Sequence, residues 1–187
     1  MSRLYLVRHG QAAAGWSEDT DPDLDEVGQA QATAVAKELS RYGPLPVLTS
    51  PLRRARSTAA VFERVWGVEA VVDARVGEIP SPPGPDGALE RRGTWLAEVM
   101  RARWDDADLG ETLQAWRRQV VEALIGLDQD TLVTTHFIAI NAAVGEATAD
   151  PLVTCFRPAN CSFTVLDVGD GRLHLVQRGR EATTVVR

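Results

Sequence analysis

Leu4-Tyr5-Leu6-Val7 is a continuous apolar run of strand formers, the pattern of a strand buried on both faces, and it breaks on Arg8-His9-Gly10. Gln11 to Asp23, with Gly15, Pro22 and the acids Glu18, Asp19, Asp21 and Asp23, predicts a loop over that strand's end. Beyond Asp25, a candidate N-cap, Ala32, Val35, Ala36, Leu39 and Tyr42 recur at helical spacing until Gly43-Pro44 ends the helix. Val47-Leu48-Thr49 offers a second strand. Ser50-Pro51 then predicts a helix opened by an N-cap serine with proline at its first position, carrying Ala55, Ala59, Phe62 and Trp66 on one face.

Val68 to Val72 predicts a third strand, leading into Asp73 to Ile79. Pro80 to Gly87 must be extended or turning, since proline fixes φ and donates no hydrogen bond. Two helical stripes follow, Trp95, Leu96, Val99 and Met100, then Leu113, Trp116, Val120, Leu124 and Leu127, separated by the acidic break Asp105 to Asp108. Thr131 to Thr135 predicts a fourth strand ending on His136, and Phe137 to Val144, apolar around most of its turn, a buried helix. Ser162 to Val168 and Arg172 to Val176 flank Gly169-Asp170-Gly171, a hairpin signal, and Arg180 to Arg187 can add an edge strand. The tryptophans read as packing residues.

Composition changes this picture little. At 187 residues, 44% hydrophobic and 25% charged, the chain is an ordinary globular sequence, read as a single domain over 1–187. A net charge of −6 gives no whole-molecule attraction to nucleic acid or to an anionic membrane, so an anionic ligand must be drawn by local charge. Cys155 and Cys161 lack zinc-site spacing and read as reduced structural thiols. A strand begins at residue 3 with no room for a signal peptide, and no apolar run approaches a membrane span; the expectation is a cytoplasmic protein.

Candidate chemistry sits at strand ends. His9 and His136, two of three histidines, each follow an apolar strand, and ligands of open α/β sheets bind there. His174 lies inside the terminal hairpin and reads as structural or exposed. Arg8-His9 can be a nucleophile beside an anion anchor, and a surface pair at a turn fits the same triplet. Arg53, Arg54 and Arg56 crowd the first turns of a helix, against its dipole; an anion bound at that helix start would remove the conflict for at least one of them. Arginines and an in-line imidazole are what phosphoryl transfer requires.

Taken in order, Leu6-Val7-Arg8-His9-Gly10, Leu24 through Gly28 to Gln31-Ala32, Thr49-Ser50-Pro51-Leu52-Arg53-Arg54-Ala55-Arg56-Ser57-Thr58-Ala59, the Glu78 region and Thr134-Thr135-His136 resemble the histidine phosphatases of the phosphoglycerate mutase-like superfamily, from about residue 3 to residue 167. The resemblance implies that His9 is the nucleophile that becomes phosphorylated, that Arg8 and Arg54 clamp the phosphoryl group, that His136 donates to its oxygens, and that Glu78 is general acid and then base. Asp73 and Glu69 are nearby acids in poorer alignment. It implies a three-layer α/β/α sandwich with a mainly parallel central sheet, and a reaction with no cofactor and no metal.

Two departures stand out. Phe137 stands where the family often has glycine, and Ile79 to Gly84 replaces a Gly-x-Trp-x-Gly pattern after the acid. The expected function is hydrolysis of a small phosphorylated metabolite through a phosphohistidine, with Pro80 to Asp108 as a lid or specificity region. Alternatives are a protein phosphohistidine phosphatase, mutase-type phosphoryl transfer, and a non-catalytic phosphate-binding module. Oligomeric state is silent.

Overall fold

The structure is a computed structural model that describes residues 1–15, 18–81, 88–106 and 109–182. Six strands, β1 (Ser2–Arg8), β2 (Val47–Thr49), β3 (Val71–Val72), β4 (Thr131–Thr135), β5 (Phe163–Gly169) and β6 (Arg172–Gln177), form one sheet in the order β3-β2-β4-β1-β5-β6. The first four positions of that order run parallel, and β5 and β6 are antiparallel additions to the β1 edge.

Side-chain alternation along β1 explains the layers. Tyr5 and Val7 face a core shared with α1 (Glu26–Leu39) and α2 (Arg53–Trp66), through Val35, Leu39 and Phe62. Leu4 and Leu6 face the other core, shared with α4 (Gly110–Ile125) and α5 (Phe137–Thr148), through Val120, Leu124 and Ile140. Both faces are covered, the α/β/α sandwich expected from the sequence. A fully buried Phe62 or Leu4 each contributes about 1.5–3 kcal/mol. A fifth helix, α3 (Ala88–Val99), packs Leu96 and Val99 into the second core, and α5 is buried along Phe137 to Gly145.

Local signals hold where the chain's own neighbours decide the structure. Asp25 caps α1, its carboxylate accepting from the Gly28 N–H at 2.7 Å. The β5–β6 turn places Asp170 and Gly171 at positive φ, 53° and 69°, as a two-residue hairpin requires. Trp104 and Trp116 are buried and pack against each other with their rings tilted by 31°, whereas Trp16 lies outside the described residues. Both cysteines are free, and His174 is exposed.

Three expectations change. α1 stops at Leu39, and Ser40–Tyr42 forms a tighter 3-10 turn. α2 begins at Arg53 with Leu52 at its N-cap and no side-chain cap from Leu52; the Ser50 hydroxyl accepts from the Leu52 N–H at 3.3 Å, just ahead of the helix, and also meets His136. The third strand is only Val71–Val72: it is an exposed edge whose one partner, β2, is itself three residues long. Of the edge strand expected over 180–187, the described residues carry one antiparallel bridge, Pro158 with Glu181, while residues 183–187 lie outside the described residues, as do 82–87 of the proline-rich loop and 107–108 of the acidic break.

Candidate active site

Three neighbouring strands end together. Arg8 of β1 pairs in register with Thr135 of β4, and Thr134 with Thr49 of β2, so His9, His136 and Ser50 emerge side by side. Backbone bonds continue the ladder one step past the strands: His9 N–H donates to Thr135 O at 3.0 Å, and Ser50 N–H to Thr134 O at 3.1 Å. The imidazoles of His9 and His136 stand 5.2 Å apart, centroid to centroid.

His9 is fixed as one tautomer. Its Nδ1 lies 2.7 Å from Gly10 O, a carbonyl that can only accept, so Nδ1 carries the proton and Nε2 keeps its lone pair. Arg54 Nε–H donates to that Nε2 at 3.2 Å. Burial, and then the positive fields of His136, Arg54 and Arg8, push the His9 pKa well below the ordinary 6.5, so the ring is neutral at physiological pH. The backbone around it is tight. A Cβ on Gly10 would lie 2.5 Å from Gly28 O, and one on Gly28 would lie 2.1 Å from Gln11 O; both positions need glycine for close approach. Gly10 N–H donates to Thr58 Oγ1, and Asn160 Nδ2 donates to His9 O.

His136 is fully buried, with Nε2 2.7 Å from Ser50 Oγ and Nδ1 3.3 Å from Glu78 Oε2. The latter is close enough for an ion pair but is not aligned as a hydrogen bond. Both nitrogens are served when Ser50 O–H donates to Nε2 and Nδ1–H faces the carboxylate. Burial lowers the His136 pKa, with Glu78 opposing. Burial alone would raise Glu78; His136 and Arg54 beside it outweigh this and hold its carboxyl below the ordinary range. Glu78 is brought in by the turn after β3, where Thr135 Oγ1 donates to Val76 O at 2.6 Å, and its Oε2 lies 3.5 Å from Arg54 Nη2. Asp73 is occupied by Arg75 and Glu69 is exposed.

Arg8 is buried, and burial pushes its pKa down to about 10. Its Nη1 donates to Pro158 O at 2.8 Å, and its guanidinium lies against the Phe137 ring. All five residues singled out by sequence, Arg8, His9, Arg54, Glu78 and His136, thus converge. Arg8, His9, Arg54 and Glu78 line a cleft of about 1160 Å³, whose lining also includes Arg92, Leu96 and Met100 of the region expected to act as a lid, and Arg180.

Sequence reasoning missed three contributors. Asp21 Oδ1 accepts from the Arg53 backbone N–H at 2.8 Å and stands 3.9 Å from Arg54 Nη1, so the anion expected at the start of α2 is supplied by the chain's own loop. Its signal was present only as one acid among several in Gln11 to Asp23. Ser50, read as a cap, serves His136; Asn160 had no signal.

One donor atom each from His9, Glu78 and His136 lie within 4.8 Å of one another, a spacing that can hold a metal ion. The Arg54 guanidinium, itself a cation, contacts two of the three, donating to His9 Nε2 at 3.2 Å and standing 3.5 Å from Glu78 Oε2.

A parallel sheet ending on two histidines, two buried arginines and a carboxylate brings together the cationic donors, imidazoles and acid that phosphoryl chemistry uses. Residues 4–180 match the histidine phosphatase superfamily (branch 1), and the chain belongs to it. It is 28% identical over 188 residues to "Probable phosphoglycerate mutase GpmB" of Photorhabdus laumondii, covering 89% of this chain and 85% of that protein. Its fold is similar to that of a mycobacterial glucosyl-3-phosphoglycerate phosphatase, at 26% identity and a TM-score of 0.71 over 97% of this chain and 100% of that one. That phosphatase has also been solved with VO3 and with inorganic phosphate. Bacillus stearothermophilus YhfR, at 20% identity and a TM-score of 0.75 over 97% and 98% of the two chains, shares the fold. No helix among the described residues is long and apolar enough to cross a membrane.

Proposed function

We propose that this protein hydrolyses phosphomonoesters of small metabolites through a phosphohistidine formed on His9, without a metal ion. The observation that carries this reading is the tautomer-fixed, buried His9 in the wall of the cleft, its Nε2 unprotonated and held by the Arg54 Nε–H at 3.2 Å. Nε2 attacks phosphorus as the ester P–O bond breaks. Arg8, Arg54 and His136 receive the equatorial oxygens, and Glu78 delivers a proton to the leaving oxygen.

Glu78 is held as a carboxylate in the free protein, so the substrate must change it. An incoming phosphate draws Arg54 and His136 to itself and adds negative charge beside Glu78; both raise its pKa, and a monoanionic ester carries the proton it then takes up. In the second half, water attacks phosphorus, Glu78 accepts the water's proton, the Nε2–P bond breaks and phosphate leaves.

The neighbour solved with VO3 and with inorganic phosphate supports a phosphoryl site, and its named activity supports a small phosphorylated substrate. This reading takes 1–187 as one domain, and its free thiols fit a cytoplasmic setting. The test is turnover of p-nitrophenyl phosphate. His9→Ala should abolish it, vanadate should inhibit it, and EDTA should leave it unchanged; activity that survives in His9→Ala or disappears with EDTA overturns the mechanism. The relatives named as phosphoglycerate mutases favour a second reading, return of the phosphoryl group to an acceptor, and isomerisation outpacing phosphate release on 3-phosphoglycerate would establish it.

A further inference from the structure

Phe137 opens α5 directly after His136, and the Arg8 Cζ lies 5.2 Å from its ring centroid. Arg8 is a cation that folding has stripped of water: only 8% of it is exposed, and burial lowers its pKa. One of its N–H groups is committed to Pro158 O, while Nε is buried and has no hydrogen-bond partner among the described residues. Such a group costs stability unless something compensates it. An acceptor side chain at 137 would satisfy the fork and thereby neutralise it. An aromatic face offers its negative quadrupole without occupying any N–H, so the cation is stabilised and its donors stay available.

The framework around the pair is fixed on each side. Arg8 N–H donates to Ser162 O and Arg8 O accepts from Cys161 N–H, so the arginine backbone is pinned at the end of β1. Phe137 is 5% exposed, its carbonyl accepts from Asn141 Nδ2, and its side chain also lines the cleft. The register Arg8 with Thr135 is what sets the two side chains against each other, since Phe137 lies two residues beyond Thr135.

We propose that Phe137 is a positioning residue: its ring holds the Arg8 guanidinium so that its uncommitted N–H edge is kept for the oxygens of a bound phosphoryl group. The proposal rests on the reading of the cleft as a phosphoryl site. Its experiment is calorimetric binding of orthovanadate, which needs no turnover, to the wild type, Phe137→Leu and Phe137→Tyr, each also in an Arg8→Lys background and each checked for Tm. Phe137→Leu keeps apolar volume without the π-face and should weaken vanadate binding roughly 3- to 30-fold, with KM for p-nitrophenyl phosphate rising more than kcat falls. Phe137→Tyr should restore binding to within about twofold of wild type. In the Arg8→Lys background, whose ammonium lacks the planar fork, the Leu substitution should cost much less.

Wild-type affinity in Phe137→Leu overturns the proposal. So does an equal loss in the Arg8→Lys background, or a loss that Tyr fails to rescue while Tm falls, since those mark a packing role alone. A wild type that binds no vanadate removes the phosphoryl-site reading itself, and this inference with it.

Discussion

Arg54 Nε–H donates to the unprotonated Nε2 of His9 at 3.2 Å, so the lone pair that would attack phosphorus is held, in the free protein, by one of the cations that would stabilise the phosphoryl group. The same contact does two things. It keeps a proton off Nε2, since a guanidinium beside the ring opposes a second positive charge, and under the proposed mechanism it stations the fork where the phosphoryl oxygens would arrive.

Arg54→Lys therefore separates charge from geometry. An ammonium retains the positive field but not the planar donor set, and loss of one well-placed donor to a developing oxyanion costs roughly 10²- to 10³-fold in kcat. Turnover of p-nitrophenyl phosphate should fall by that order while His9 stays neutral; near wild-type kcat would show that Arg54 acts only as a distant charge.

Glu78→Gln tests the proton donor. The carboxylate faces His136 Nδ1 at 3.3 Å and Arg54 Nη2 at 3.5 Å, and the amide keeps the size but cannot transfer a proton. Esters with poor leaving groups should lose about 10²- to 10⁴-fold in kcat/KM, and p-nitrophenyl phosphate, whose leaving group needs little protonation, distinctly less. Equal losses on both substrates would assign Glu78 an electrostatic role in place of proton transfer.

The contrast between His9 and Asp21 shows what was legible in the sequence and what was not. Strand-end histidines are visible because a short apolar run announces the strand and the residue after it, and the layers follow from the same alternation. That His9 and His136 meet is a matter of register, Arg8 opposite Thr135, which no local pattern encodes. Ser50 was half read: its hydroxyl does accept a backbone N–H, that of Leu52, as its position before proline suggests, but the helix starts later and β2 also delivers that hydroxyl to His136. Glu78 has no periodic context and was found through resemblance alone. Asp21 was indistinguishable from Glu18, Asp19 and Asp23 until the loop's path over α2 selected it.

Stability should follow the buried imidazoles. His9 and His136 both have pKa values below the ordinary 6.5, so below about that pH the unfolded chain binds protons that the folded chain refuses. Their stabilising effect is complete above pH 6.5 and is lost as pH falls toward their lowered values. Glu78 acts in the same direction lower down, its contribution being present above 4.5 and lost as pH falls through its lowered value. Tm should be flat above neutrality and fall on acidification, with at most about 1.4 kcal/mol per pH unit for each imidazole. His9→Gln should flatten the upper part of that fall; identical profiles for both proteins would mean that His9 is not held neutral by the fold.

Asp21→Ala tests whether the loop anchors the arginine. α2 carries Arg53 and Arg54 in its first turn, against its own dipole, and has no side-chain cap from Leu52. The Asp21 carboxylate answers both deficits, accepting from the Arg53 N–H at 2.8 Å and standing 3.9 Å from Arg54 Nη1. Removing it should cost about 0.5–2 kcal/mol of stability, as other lost helix caps do. With the Asp21 side chain 36% exposed and the contact 3.9 Å long, the ion pair with Arg54 adds little to that. The informative readout is vanadate affinity. A phosphoryl group and Asp21 both call on Arg54, so if the carboxylate mainly competes, Asp21→Ala should bind vanadate more tightly despite its lower Tm, and if it mainly orients the fork, more weakly. The geometry favours orientation, because the short bond goes to the Arg53 backbone and the side-chain contact to Arg54 is long, leaving Nη1 free to turn toward a ligand while the helix start stays fixed. Weaker vanadate binding with a lower Tm is therefore the expected outcome, and Asp21→Asn, which keeps an acceptor for the Arg53 N–H, should recover most of both.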